Sequence, residues 1–459
     1  MADKSRNTLN TSENKLTLTA ELLSSVENLI LYEAVKENKL ISDLRLESEK
    51  VNPEKNYKKS QGKSSSEHRH RLNKIISKLV EFSEDRGLNG DLWHNYLKGL
   101  LLSDLNTFSL HAEKEKLSHN SSLYKLAAAD ISIIADLFSF TFADLLELFY
   151  SNQYSYLYPY QPQKENYNNI SKFNSLFKTA AKTKEHKKIA EKNTDSENIL
   201  LSNLAEFYFK NGASVLNKSS AFYWKDYSLK IINNPDPITF SEIIGYQKQK
   251  EKLIANTESF LNNKKAHNVL LYGDSGTGKS SSVKALLNKY QDKGLRLIEI
   301  NNEQIKELPK ILDYLNQRGL YFIIFMDDLS FEEFETEYKY LKAVMEGGIE
   351  LKPDNVLFYA TSNRRHIVRE KWQDREAEVH KNDILNEKLS LSERFGLTLM
   401  YNTPAQEEYL NIVRELAVQE NIKINKEELE EQALQWSQWN NGRSGRSARQ
   451  FINELLKNN

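Results

Sequence analysis

The chain has 459 residues, of which 39% are hydrophobic and 28% are charged, so it is long enough to form two or three domains with separate cores. Its formal net charge of -1 excludes a global basic field for nucleic acid, although a local basic surface is compatible with that total. The absence of cysteine excludes disulfides, thiol catalysis and metal sites built on thiolates.

The first residues and the most apolar stretch give no membrane signal. Residues 1–18 are polar and lack the apolar run of a signal peptide. Residues 131–150 contain Asp136, Asp144 and Glu147, whose carboxylates are costly at a bilayer centre, so this stretch predicts a buried helix. We therefore expect a cytoplasmic protein with no membrane partner.

The first half of the chain, residues 1–230, predicts a mainly helical N-terminal domain of unknown role. It is aromatic-rich and nearly free of glycine and proline. Apolar residues at three- and four-residue spacing predict amphipathic helices in residues 20–46, 71–82, 92–105 and 123–149. Two polar, charged stretches, residues 48–71 and 185–197, are typical of linkers or surface loops.

The composition changes near Pro235, where short apolar runs begin to alternate with helical patterns. Strands are predicted in residues 268–272, 295–300, 321–326 and 356–360. This alternation predicts an α/β core of residues 231–401 with a mostly parallel sheet covered on both faces. After Pro404 the pattern is helical again, which predicts a small helical lid in residues 402–459.

The sharpest motif is a complete GxxxxGK[ST] sequence between a predicted strand and a predicted helix. It consists of Gly273, Asp274, Ser275, Gly276, Thr277, Gly278, Lys279 and Ser280. Glycines let the backbone curl so that successive amides point at phosphate oxygens, and the following helix adds its dipole. Lys279 is expected to contact the β- and γ-phosphates and Ser280 to ligate Mg²⁺. The motif therefore predicts a nucleotide-binding P-loop.

A second acidic element follows about 50 residues later. The apolar run of residues 322–326 ends in Asp327 and Asp328. A carboxylate at the end of such a strand is placed to hold Mg²⁺, usually through water, so Asp327 is the expected metal residue. Asp328 is then the candidate that orients the attacking water.

These motifs, in this order, resemble the AAA+ ATPases, whose fold is an α/β P-loop core with a helical lid. Within that superfamily, residues 327–333, 360–366 and 444–449 resemble a bacterial family of predicted ATPases of unknown function. Residues 240–246 resemble the segment that begins this fold and contacts adenine. The resemblance covers residues 231–456, about half of the chain.

The resemblance implies further site residues. Ile244 matches the adenine-contacting segment, and Asn363 matches the sensor-1 position, where a side-chain amide positions the attacking water. Arg394 matches the arginine finger, which completes the site of a neighbouring subunit. Arg446 matches the lid sensor of phosphate, with Arg449 one helical turn away as the competing choice.

One residue departs from the superfamily pattern. AAA+ enzymes usually carry Glu after the metal-binding Asp, whereas this chain has Asp328. The carboxylate reaches about 1.3 Å less far, and a misplacement near 1 Å can cost on the order of a hundredfold in rate. Slow hydrolysis, or a non-hydrolysing ATP-binding switch, is therefore an alternative to efficient turnover.

Three functions are compatible with ATP and Mg²⁺ at this site. An arginine finger that acts in a neighbouring subunit, as implied for Arg394, favours a homo-oligomeric switch that acts on an unidentified protein partner. A nucleic-acid-associated loader is the alternative, suggested by the basic stretches in residues 55–71 and 182–188. A protein unfoldase is less favoured because residues 301–320 contain no aromatic–apolar–glycine triplet.

Overall fold

The structure is a computed structural model. The chain forms two units, Met1–Asn217 and Lys218–Asn459. The described residues are 20–50, 64–148, 153–164, 194–329, 335–346, 352–363, 394–440 and 442–458.

The first unit is mainly helical in its described part, as the sequence predicts. Its α-helices are α1 (Glu33–Lys36), α2 (Lys39–Lys50), α3 (Ser64–Asp85), α4 (Leu92–Ser103), α5 (Thr107–Lys114), α6 (Ser122–Leu137), α7 (Phe142–Leu148) and α8 (Thr194–Asn211). Short 3-10 turns lie at Val26–Asn28, Ser155–Leu157 and Ser214–Asn217. Their apolar faces form one core around the fully buried Trp93, Phe108 and Tyr208.

Polar caps define several of these helices. The Asp91 side chain accepts the His94 N–H at the start of α4, and Asn106 forms a capping box with Ser109 at the start of α5. Such caps satisfy amide groups that a helix end leaves without a partner. The continuous helices predicted for residues 20–46 and 123–149 are wrong in detail, because each stretch is interrupted in the structure.

The second unit contains a seven-stranded sheet. Its strands are β1 (Ala221–Lys225), β2 (Ser228–Ile231), β3 (Val269–Gly273), β4 (Leu295–Glu299), β5 (Tyr321–Met326), β6 (Val356–Ser362) and β7 (Leu397–Tyr401). The spatial order is β2-β1-β4-β5-β6-β3-β7, and every neighbouring pair is parallel except β1 with β2. The inner strands are buried almost throughout, as expected for a parallel sheet covered on both faces.

The β1–β2 hairpin corrects the predicted domain boundary. The sequence analysis ends the N-terminal domain at residue 230, but β1 pairs in parallel with β4 and so extends the sheet. The hairpin therefore belongs to the second unit, which begins at Lys218. The further division between core and lid at residue 401 stays a prediction.

Helices alternate with the strands along the chain, and, in the described residues, three more come after the last strand. They are α9 (Gln247–Leu261), α10 (Lys279–Tyr290), α11 (Leu308–Asn316), α12 (Glu335–Glu346), α13 (Gln406–Gln419), α14 (Lys426–Trp439) and α15 (Gly445–Asn458), with 3-10 turns at Gln291–Lys293 and Asn302–Glu307. Helices α13, α14 and α15 share a hydrophobic cluster that also contains Ile244.

The predicted architecture is confirmed: the second unit is an α/β core with a mostly parallel sheet, with the P-loop sequence directly after β3 and a helical C-terminal region. The order of the central strands decides where the site lies. Because β5, β6 and β3 are parallel neighbours, their carboxyl ends meet at one edge of the sheet. The P-loop, the acid pair and Asn363 all follow these three ends.

Candidate nucleotide site

Three glycines give the P-loop its curled backbone. Gly273, Gly276 and Gly278 all have positive φ, at +130°, +75° and +92°. At Gly273 a Cβ would also collide with the Tyr401 carbonyl on the neighbouring strand. Gly278 is the N-cap of α10, so the helix begins directly at the loop. Only glycine meets these demands without strain, and the resulting curl directs amide groups toward the loop centre.

The Lys279 ammonium lies folded against this loop. Its Nζ donates to the carbonyls of Gly273 and Asp274 at 3.0 and 2.7 Å, and to Asn363 Oδ1 at 2.9 Å. Burial lowers its pKa, while the carboxylates nearby act in the opposite direction. The group is therefore a desolvated cation held at the sheet edge, where an anion interacts with it more strongly than in water.

The two acids that follow β5 are joined to the P-loop and to β6. Asp327 Oδ1 accepts hydrogen bonds from the Ser280 hydroxyl at 2.6 Å and from the Thr361 hydroxyl at 2.5 Å. The backbone N–H of Asp328 donates to Thr361 Oγ1 at 2.9 Å. Ser280 and Asp327, the predicted metal residues, thus present oxygen atoms within hydrogen-bonding distance of each other.

Asn363 connects the lysine to the second acid. Its Oδ1 accepts from Lys279, and its Nδ2 donates to Asp328 Oδ1 at 2.6 Å. The predicted sensor amide and the predicted water-orienting carboxylate are therefore in direct contact. A hydrogen-bonded chain runs from the P-loop cation through the amide to the carboxylate.

The donor set at this edge fits Mg²⁺. Mg²⁺ prefers hard oxygen ligands and is usually held by one or two carboxylates together with substrate phosphates. Ser280 Oγ and Asp327 Oδ1 are such donors. Among the described residues no cluster of three or more His, Cys, Asp or Glu side chains forms a metal cage. A nucleotide would therefore supply the remaining ligands.

A cavity of about 670 Å³ extends from the P-loop toward the lid. Its polar lining includes Ser275, Gly276, Thr277, Gly278, Lys279, Ser280, Asp327, Asp328 and Asn363, and its apolar lining includes Ile243, Ile244, Ile412 and Leu416. A cavity with polar and apolar lining residues suits a ligand with phosphates and a planar base.

The helical C-terminal region, the predicted lid, contacts the P-loop through its last helix. The Arg446 N–H, in the first turn of α15, donates to the Gly276 carbonyl at 3.1 Å. The Arg446 side chain is exposed and lines the cavity. Arg449 also lines it, but its guanidinium donates to Glu420 of α13 at 3.0 Å. Of the two sensor candidates, Arg446 is the one that contacts the phosphate-binding loop.

Asp274 joins the P-loop to the chain that leads into the lid. Its Oδ2 accepts the backbone N–H and the hydroxyl of Thr403, both at 2.7 Å, and its own N–H donates to the Tyr401 carbonyl. Asp274 is not among the residues that line the cavity, and its side chain joins the loop to Thr403. Its predicted nucleotide contact stays a prediction.

Arg394 lies at the other end of the sheet. It is an exposed residue three positions before β7, whose first residue pairs with the first residue of β3. The P-loop follows the opposite end of β3. Arg394 is not among the residues that line the cavity of its own chain.

Several residues of this site had no predicted role. Thr361 contacts both acids, and Ile412 and Leu416 line the cavity. Ile243 and Tyr246, which belong to the predicted adenine-contacting segment of residues 240–246, also line it, and the Tyr246 ring stacks on Tyr401 at 4.9 Å between centroids. Thr361 directly follows the strand predicted in residues 356–360, but its contact with the acids depends on which strand lies beside β5.

The motif residues 330–333, 364–366 and 391–393 lie outside the described part of the chain, as do the basic residues 55–63 and 182–188. In the described part, no helix has the length and apolarity to span a bilayer.

Solved structures are similar to about half of the chain. A variant of Thermotoga maritima RuvB is 17% identical with a TM-score of 0.35, over 48% of this chain and 65% of that chain. The chain therefore spans less than two thirds of the RuvB chain. The FIGL-1 AAA domain in complex with ADP is 20% identical with a TM-score of 0.35, over 49% and 74%.

No curated protein sequence shows significant similarity to the chain. The family model described as "Protein of unknown function (DUF815)" matches residues 217–459, which is just over half of the chain and includes every residue of the cavity. The chain therefore belongs to the DUF815 family.

Proposed function

We propose that this chain is a magnesium-dependent ATPase that binds ATP in the cavity between the P-loop and the lid. The observation that carries the proposal is the hydrogen-bonded chain from Lys279 through Asn363 to Asp328, three residues that line a cavity with both polar and apolar walls. A cation, an amide and a carboxylate in contact are the groups that phosphoanhydride hydrolysis requires.

Each residue has a defined role in this proposal. The P-loop amides and Lys279 bind the phosphates, and the base lies against Ile244 and its apolar neighbours. Ser280 and Asp327 hold Mg²⁺, which supplies positive charge to the β- and γ-phosphate oxygens. Asp328 accepts a hydrogen bond from the attacking water, and Asn363 orients it.

We further propose that the enzyme is a homo-oligomeric switch acting on an unidentified protein partner. The support is the position of Arg394, which is exposed and lies away from the cavity of its own chain. An arginine at that position can reach a γ-phosphate only in a neighbouring subunit. Nucleotide state would then control the contact between subunits.

The nucleic-acid loader stays an alternative without a structural argument in its favour, since most of its basic stretches lie outside the described residues. The unfoldase has less support. Residues 301–320 form a 3-10 turn at Asn302–Glu307 and helix α11, and their sequence lacks the aromatic–apolar–glycine triplet.

An equilibrium titration with a fluorescent ATP analogue tests the binding step. We expect saturable, Mg²⁺-dependent binding by the wild type and at least about a hundredfold weaker binding by Lys279→Ala, because the P-loop cation is removed. Lys289→Ala is the matched control, since this lysine is exposed on the same helix. Equal affinity of Lys279→Ala and the wild type would contradict the proposal.

A further inference from the structure

Thr361, the next-to-last residue of β6, holds the three consecutive residues that follow the neighbouring strand β5. Its hydroxyl donates to Asp327 Oδ1 at 2.5 Å and accepts the Asp328 N–H at 2.9 Å, while its carbonyl accepts the Leu329 N–H at 2.7 Å. The residue is only 2% exposed. A buried hydroxyl with both of its functions satisfied fixes its partners more strictly than an exposed one.

The turn that Thr361 holds has an uncommon backbone conformation. Asp328 has a φ of +54°, in the left-handed region. Aspartate and asparagine are several-fold enriched there among residues other than glycine, because their short polar side chains tolerate it. The backbone therefore favours aspartate over glutamate at this position, where the AAA+ pattern has glutamate.

The length of the side chain matches its partner. The Asp328 carboxylate accepts from Asn363 Nδ2 at 2.6 Å. With the backbone held on both sides by Thr361, an added methylene would move the carboxylate by about 1.3 Å relative to that amide. A glutamate would thus lose the contact that an aspartate makes in this turn.

We propose that Thr361 is a positioning residue that sets both acids, and that the turn it holds makes aspartate the matched length at position 328. Thr361 acts through Asp327 on the metal and through the backbone of Asp328 on the attacking water. The inference rests on the proposed function, and it argues against the alternative of slow hydrolysis: the shorter acid belongs to a turn in the left-handed conformation.

Four variants test it, through steady-state ATPase rates and ATP affinity with and without Mg²⁺. Thr361→Val keeps the shape and loses the hydroxyl, and Thr361→Ser keeps the hydroxyl. Asp328→Glu changes the length alone. Thr257→Val is the matched control, because Thr257 is another buried threonine whose hydroxyl contacts Leu253 and Tyr359 and no acid.

We expect Thr361→Val to lower kcat about tenfold and to reduce the gain in ATP affinity that Mg²⁺ confers, while Thr361→Ser restores both. Asp328→Glu should lower kcat on the order of a hundredfold with ATP affinity unchanged. Thr257→Val should leave kcat and the Mg²⁺ gain unaltered.

The inference would be overturned if Thr361→Val kept the wild-type kcat and the wild-type increase in ATP affinity with Mg²⁺. It would also be overturned if Asp328→Glu turned over ATP as fast as the wild type or faster. If Thr361→Val fails to fold, Asp328→Glu decides alone. A wild type that binds no ATP would instead contradict the proposed function, so the two failures are distinguishable.

Discussion

A buried charged group in each unit has a different kind of partner. In the first unit, the Asp130 carboxylate is 1% exposed and accepts the backbone N–H groups of Ile30, Leu31 and Tyr32. In the second, the buried Lys279 ammonium donates to two backbone carbonyls and also to the side chain of Asn363, an exposed residue that lines the cavity. A charged group that is held by backbone amides stabilises a fold, whereas one that also bonds to an exposed polar side chain beside a cavity is available for chemistry.

The largest expected effect tests whether the site of the second unit is complete within one chain. Arg394→Ala should lower kcat on the order of a thousandfold if the guanidinium completes a neighbouring site. Mixing Arg394→Ala with Lys279→Ala should restore activity, because one variant supplies an intact P-loop and the other an intact finger. The measurement is the ATPase rate of each variant and of the mixture.

Arg414→Ala is the control for that experiment, since Arg414 pairs with Glu407 and Glu430 within the lid. It should retain the wild-type rate. A mixture as inactive as its components would argue that Arg394 does not act in trans.

The next effect tests the structural role assigned to the first unit. Asp130→Ala should lower the free energy of unfolding by about 3 kcal/mol, because three backbone N–H groups lose a charged acceptor. Asp136→Ala, an exposed position on the same helix, should change it by less than about 0.5 kcal/mol. Denaturant titration measures both free energies. If Asp130→Ala were as stable as the wild type, the structural role assigned to Asp130 would be wrong.

The smallest effect separates the two lid arginines. Arg446→Ala should lower kcat about tenfold, because Arg446 lines the cavity and its backbone N–H contacts the P-loop, whereas Arg449→Ala should leave kcat near the wild-type value. Arg449 pairs with Glu420 at a partly exposed position, so its loss should cost at most about 1 kcal/mol of stability. If Arg449→Ala lost more kcat than Arg446→Ala, Arg449 would be the phosphate sensor instead of Arg446.

The strongest sequence predictions are those that depend on local chemistry. The P-loop is recognisable because its glycines, Lys279 and Ser280 are contiguous, and Asp327 because it ends an apolar strand. Thr361 was missed because its role depends on which strand lies beside β5, and that order is a property of the whole sheet.

Other misses have the same long-range origin. The predicted helix over residues 20–46 is interrupted at residues 29–32, where Asp130, distant in sequence, accepts the backbone N–H groups. The β1–β2 hairpin turns at Asp226 and Tyr227, both with positive φ. Tyrosine is uncommon in that conformation, so the turn lacks the glycine or asparagine signal of a hairpin.

The central claim is tested most directly by phosphate release from ATP, measured for the wild type against protein concentration with and without Mg²⁺. The account predicts a Mg²⁺-dependent rate per subunit that rises with concentration until assembly is complete, and no rate for Lys279→Ala. A wild type that binds ATP but releases no phosphate at any concentration would contradict the ATPase assignment and leave a binding switch.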